Sequence, residues 1–69
     1  MTLHEAIVFV LKKNGQPMTA REIADVVNKE NLYSRGDGND VPSAQISARI
    51  KNYPQLFAKE NGKIKLLNQ

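Results

Sequence analysis

Cysteine is absent from the 69 residues and histidine occurs once. Without thiols there is no disulfide framework and no thiolate metal site, and nothing points to an oxidising compartment. The lone His4 has no partner from which a ligand set or a catalytic pair could be built, so it reads as a surface residue. No serine has a histidine or lysine at motif spacing, and no glycine-rich loop of phosphate-binding or dinucleotide type occurs. No catalytic residue, metal site or cofactor is therefore expected. Long apolar runs are also missing, and the first residues lack the basic-then-apolar layout of a signal peptide. These absences predict a soluble, cytoplasmic protein with no membrane partner. Acidic residues are scarce in one part of the chain. From Ser43 onward Glu60 stands alone against Arg49, Lys51, Lys59, Lys63 and Lys65, a net +4, whereas the first 42 residues carry −1.

A chain of this length forms one domain, residues 1–69, and hides only about 60% of the surface its unfolded form exposes. Packing alone has to hold it together, so the apolar pattern is informative. Thr2 and Glu5 have the spacing of a reciprocal cap at a helix start. Leu3, Ala6, Ile7, Val10 and Leu11 then make one apolar face. Val8 and Phe9 flank that face, and Phe9, at the Lys13 edge, is either covered or left as a partner surface. Gly15 supplies a left-handed stop. After an extended link at Gln16, Pro17 and Met18, Thr19 and Glu22 repeat the cap and open a second helix with Ala20, Ile23, Ala24 and Val27 inward. Arg21, Asp25 and Lys29 stand four apart on its water side.

Asn31 is a plausible stop for that helix, and Leu32 and Tyr33 are expected to tie the following segment to the core. Ser34 to Asp40, with two glycines and Asp37, Asn39 and Asp40, spells a mobile turn. It faintly resembles a calcium loop, but Pro42 falls where such a loop needs glycine and no glutamate closes it. The connection is longer than the three or four residues of a tight helix-turn-helix.

Val41 to Tyr53 predicts a third helix, with Pro42 at its first position, Ser43 helping to cap it and Pro54 stopping it. Ile46, Ile50 and Tyr53 form its inward stripe. Ala44, Gln45, Ser47, Ala48, Lys51 and Asn52 spread over an outward arc that is small, polar and cationic. Beyond Pro54, Asn61-Gly62 between extended segments is a strong two-residue hairpin signal. That turn pairs Glu60 with Lys63, Lys59 with Ile64, Ala58 with Lys65 and Phe57 with Leu66. Phe57, Ile64 and Leu66 then share the core face. The expected fold class is α+β and mostly helical: a winged helix-turn-helix of three helices and a C-terminal two- or three-stranded antiparallel wing, with Gln16 to Met18 available as the third strand.

Nearly the whole chain resembles the HARE-type helix-turn-helix domains, a winged-helix group found in chromatin proteins, restriction systems and the delta subunit of bacterial RNA polymerase. The resemblance rests on Thr2-Leu3-His4-Glu5-Ala6-Ile7, on Pro17-Met18-Thr19-Ala20-Arg21-Glu22-Ile23-Ala24, on Pro42 to Ile50, and on Phe57 with Gly62-Lys63-Ile64-Lys65-Leu66. The stretch from Pro17 to Ala24 is the more distinctive, the first and last being generic winged-helix pattern. Members often carry threonine directly before the helix proline, where this chain has Val41. The resemblance implies a DNA-binding or transcription-associated module, and some members serve through protein contacts.

Two functional readings follow. In the first, double-stranded DNA is the partner and the third helix enters the major groove while the wing lies along the backbone. The contacting set is Ser43, Gln45, Ser47, Arg49, Lys51, Asn52, Lys63 and Lys65. Lysines hold phosphates without reading sequence, whereas Gln45, Ser47 and Asn52 have the chemistry to read base edges. Arg49 either reaches a phosphate or covers Ile46 with its stem. A single copy binds weakly unless it dimerises or is tethered to a larger chain. In the second reading the fold docks on an RNA polymerase or nuclease partner through Phe9 and the helix faces. Separately, edge protection against association is the alternative to phosphate binding for Lys59, Lys63 and Lys65.

Overall fold

The structure, a computed structural model, describes residues 1–67. Three helices, α1 (Leu3–Asn14), α2 (Ala20–Lys29) and α3 (Ser43–Lys51), precede a ribbon of β1 (Phe57–Glu60) and β2 (Lys63–Leu66). This is the winged helix-turn-helix order expected from the sequence.

Both reciprocal caps form. The Glu5 N–H donates to Thr2 Oγ1 at 3.3 Å and the Thr2 N–H donates to Glu5 Oε1 at 2.9 Å. At α2 the equivalent bonds between Thr19 and Glu22 are 3.1 and 2.8 Å. Each cap satisfies two N–H groups that a helix start otherwise leaves without a partner. The Thr2 amide holds the Glu5 carboxyl below its ordinary value, and the Thr19 amide does the same for Glu22, helped by the nearby Lys63 charge. A carboxyl lowered on folding contributes stability that is complete above its unfolded value and is lost as pH falls through the folded one. The urea midpoint is therefore expected to decline on acidification below the ordinary carboxyl value of 4.5. A Glu5→Gln/Glu22→Gln double variant should decline less steeply there. Parallel profiles for the two proteins would show that the cap charges do not contribute.

The expected inward face of α1, Leu3, Ala6, Ile7, Val10 and Leu11, is buried along its whole length. From α2 come Ile23, Ala24 and Val27, with Ala20 and Val26 half-buried. Gly15 ends α1 at φ 76°, its N–H bonded to the Leu11 carbonyl. Asn31, at φ 54°, ends α2: its N–H reaches the Asn28 carbonyl and the Leu32 N–H reaches that of Val27. This pair of bonds is a Schellman closure, which consumes two carbonyls the helix end cannot pair internally. Leu32 and Tyr33 pack against the core beyond it, as expected.

The turn after Tyr33 carries its own bonds. Arg35 pairs with the Asp37 carboxylate at 2.8 Å and donates to the Asp40 carbonyl at 3.2 Å, while the Asn39 N–H donates to Asp37 Oδ1 at 3.0 Å. The Asp37 carboxylate is thus committed to the turn's own backbone and to Arg35. The segment read as a mobile turn thus carries an internal scaffold, because a guanidinium can bridge a carboxylate and a carbonyl at once.

The third helix is shorter than its expected span and starts differently. Pro42 is the residue before the helix, with extended φ −80° and ψ 158°, and no side chain caps the end. Ser43 is the first helical residue, so its hydroxyl is past the position from which it could cap. At the other end Asn52 is the cap, and Tyr53 lies outside the helix, its N–H bonded to the Ile50 carbonyl. Ile46 and Ile50 are the buried pair, and Tyr53 packs against the core from beyond the helix.

The ribbon has the expected register in all four pairs: Phe57 with Leu66, Ala58 with Lys65, Lys59 with Ile64 and Glu60 with Lys63. Asn61 and Gly62 both have positive φ, 54° and 78°, the type I′ geometry whose twist matches a hairpin. Lys59 and Ile64 form a non-hydrogen-bonded pair within the ribbon, so the Ile64 backbone faces outward. There it meets Met18: the Ile64 N–H donates to the Met18 carbonyl and the Met18 N–H to the Ile64 carbonyl, making the third strand a single bridge.

Candidate nucleic-acid interface

Helix α3 is mounted by Ile46 and Ile50, and this anchoring determines what it shows to solvent. Ala44 and Ala48 lie one turn apart at the crest of the exposed arc, with Asn52 in line beyond them. Lys51 is exposed on one flank beside half-buried Ser47. Half-buried Gln45 and Arg49 occupy the other flank, and Ser43 is exposed at the start. Six of the eight expected contact residues therefore share one short helix and its cap. No acidic residue occurs between Val41 and Lys59. A crest of two methyl groups lets another surface approach the helix backbone closely, while the flanks supply donors and charge.

The two wing lysines are placed less uniformly. Both project from the ribbon face opposite Ile64. Lys63 is exposed, whereas Lys65 is half-buried and lies 3.6 Å from Glu60 on the same face. Among the described residues the ion pairs use Lys13, Arg35 and Lys65. Arg49, Lys51 and Lys63 take part in none of these pairs. Arg49 and Lys51 also sit in the last turn of α3, where cations complement the helix dipole, so part of their role is structural.

Two features at the ends of α3 were not legible in the sequence. At the start, the Asn28 side chain bonds both backbone groups of Val41, and Val41 itself is buried. At the far end the Tyr53 ring stacks on His4 with centroids 4.2 Å apart and planes 21° from parallel. His4 also approaches Thr2 Oγ1 through Nδ1 at 3.1 Å. The expected surface histidine is therefore half-buried and joins the start of α1 to the segment after α3. Both partnerships connect residues far apart in the chain, and no short-range spacing announces them.

A second surface lies between α1 and α2. Phe9 is 40% exposed, with the Lys13 ammonium 5.9 Å from its ring centre. With Val10, Met18 and Val26 it lines a groove of about 280 Å³, rimmed by Lys13 and Glu30, which pair at 3.5 Å. Among the described residues no group of three or more His, Cys, Asp or Glu side chains could hold a metal ion. Among the same residues no helix is long and apolar enough to cross a membrane.

The HARE-HTH family model, whose description names ASXL and restriction-endonuclease helix-turn-helix domains, matches residues 1–66. No curated protein and no solved structure matches the chain.

Proposed function

The chain belongs to the HARE-HTH family of DNA-binding-type helix-turn-helix domains, and from that premise we propose that it binds double-stranded DNA with α3 in the major groove and the ribbon along the backbone. The observation that carries this reading is the exposed arc of α3: an alanine crest leading to Asn52, between flanks bearing Gln45, Ser47, Arg49 and Lys51, with no acidic side chain on the helix. A major groove admits an α-helix. Gln45 and Asn52 can pair bidentately with adenine, and Ser47 can donate or accept. Lys51, Lys63 and Arg49 neutralise phosphates, Lys65 does so after exchanging Glu60 for a phosphate, and Ser43 lies in the first turn. The role is transcription-, chromatin- or restriction-associated.

The test is a fluorescence-anisotropy titration against a panel of short duplexes at two salt concentrations. Lys63→Glu is expected to weaken binding to every duplex alike and to flatten the salt dependence, by about 0.9 in the slope of log K against log salt for each phosphate no longer neutralised. Gln45→Ala is expected instead to change the ranking of duplexes, by about 1 to 3 kcal/mol at one base pair. If both variants bind as the wild type does, the reading is wrong. The exposure of Phe9 favours the second reading, docking on a polymerase or nuclease partner through the α1–α2 groove. In that case Phe9→Ala disrupts the protein complex and leaves duplex affinity untouched.

A further inference from the structure

The chain enters α3 with few polar anchors. Pro42 has no N–H, no side chain caps the helix, and the Ser43 hydroxyl lies one position too far on. The Asn28 amide supplies what is missing. Its Nδ2 donates to the Val41 carbonyl at 3.0 Å, and the Val41 N–H donates to Asn28 Oδ1 at 2.8 Å. Two opposed bonds between planar groups constrain direction as well as distance, much as a pair of strand residues does. They are partly shielded from water, and Val41 is 2% exposed.

The other attachments of α3 are of a different kind. Ile46 and Ile50 bury apolar surface, an interaction with no directional preference. Tyr53 on His4 fixes the far end through a broad stacking contact. Such contacts hold the helix down and set which face turns inward, yet they leave its fine rotation and its sliding along its axis without a directional bond. The Asn28 pair, one residue before Pro42, determines both at the start of the helix. We propose that Asn28 is a positioning residue for α3, setting from outside the interface where Gln45 and Ser47 stand against base edges. The proposal rests on the DNA-binding reading for its consequence, and on the α2–α3 geometry for its cause.

Asn28→Leu keeps the side-chain size and removes both bonds. Asn28→Asp keeps the acceptor for the Val41 N–H and removes the donor. A core variant at the C-terminal end of α1, beside Pro17 and Leu66, Leu11→Val, provides the control for a general loss of stability. Two measurements separate the claims. Residual dipolar couplings of the α3 amides, referred to α1 and α2, are expected to change in Asn28→Leu, to change less in Asn28→Asp, and to stay as in the wild type in Leu11→Val. The affinity ratio between the best duplex for the wild type and a scrambled one is expected to fall roughly five- to tenfold in Asn28→Leu, the scale of one misplaced base contact. Affinity for the scrambled duplex and its salt slope should remain unchanged. Unaltered α3 couplings in Asn28→Leu overturn the proposal, as does a ratio that moves equally in Leu11→Val. If Asn28→Leu fails to fold, Asn28→Asp carries both measurements. A wild type that binds no duplex sinks the DNA-binding reading, while the couplings still decide whether Asn28 sets the pose of α3.

Discussion

Ile64→Lys is expected to unfold the ribbon and loosen α1, costing roughly 2 to 5 kcal/mol for the missing apolar side chain alone. Ile64 is fully buried and performs two tasks at once. Its side chain completes the core beneath the helices, and its backbone is the point where the ribbon pairs with the α1–α2 connection at Met18. A lysine there leaves the core short of a branched apolar group and puts an ammonium among apolar side chains, which no buried residue among those described can pair. Small domains have total stabilities of about 5 to 15 kcal/mol, so a change of this size consumes a large part of what holds the fold. Lys65→Ile, one residue on and on the opposite face, provides the contrast: it should change the thermal midpoint little. Circular-dichroism melting of the two variants checks the register. A wild-type midpoint for Ile64→Lys would mean that the inner face has been assigned to the wrong side.

Ala48→Glu is expected to abolish duplex binding while leaving the fold intact. Ala48 is exposed at the crest of α3, and glutamate is a good helix former, so the stability change should stay within about 0.5 kcal/mol. Against DNA the same change places bulk and a negative charge where the helix must approach the groove floor, and like-charge juxtaposition in an interface costs several kcal/mol. The effect should exceed that of any single lysine reversal on the wing, because the crest has no room to move aside. A thermal melt paired with an anisotropy titration reads both quantities. Undiminished binding by a folded Ala48→Glu would rule out insertion of α3 and move attention to another surface.

What was legible in the sequence, and what was not, divides by the distance between partners. The caps Thr2 with Glu5 and Thr19 with Glu22 were readable because both members lie within one helical turn, and the geometry follows once the backbone is helical. The Asn61-Gly62 turn was readable because two successive residues with positive φ have a distinctive chemistry, and the turn then forces every pair of the register behind it. The third helix was harder. Its extent was over-read at both ends, since Pro42 and Tyr53 have sequence contexts compatible with a helix, and packing with the neighbouring segments decides between first turn and cap.

By itself, then, the sequence determined the three helices, the two reciprocal caps, the hairpin and its parity, and the small cationic character of the outward face of α3. Each of these depends on propensity, turn chemistry or periodicity, which act over a few residues and are written in their order. Tertiary structure alone decided that Phe9 remains uncovered, that Asn28 seizes Val41 and that His4 lies under Tyr53. Those pairings depend on where the ends of separate elements come to rest. That placement is settled by how the whole core packs, a property no short window of sequence contains.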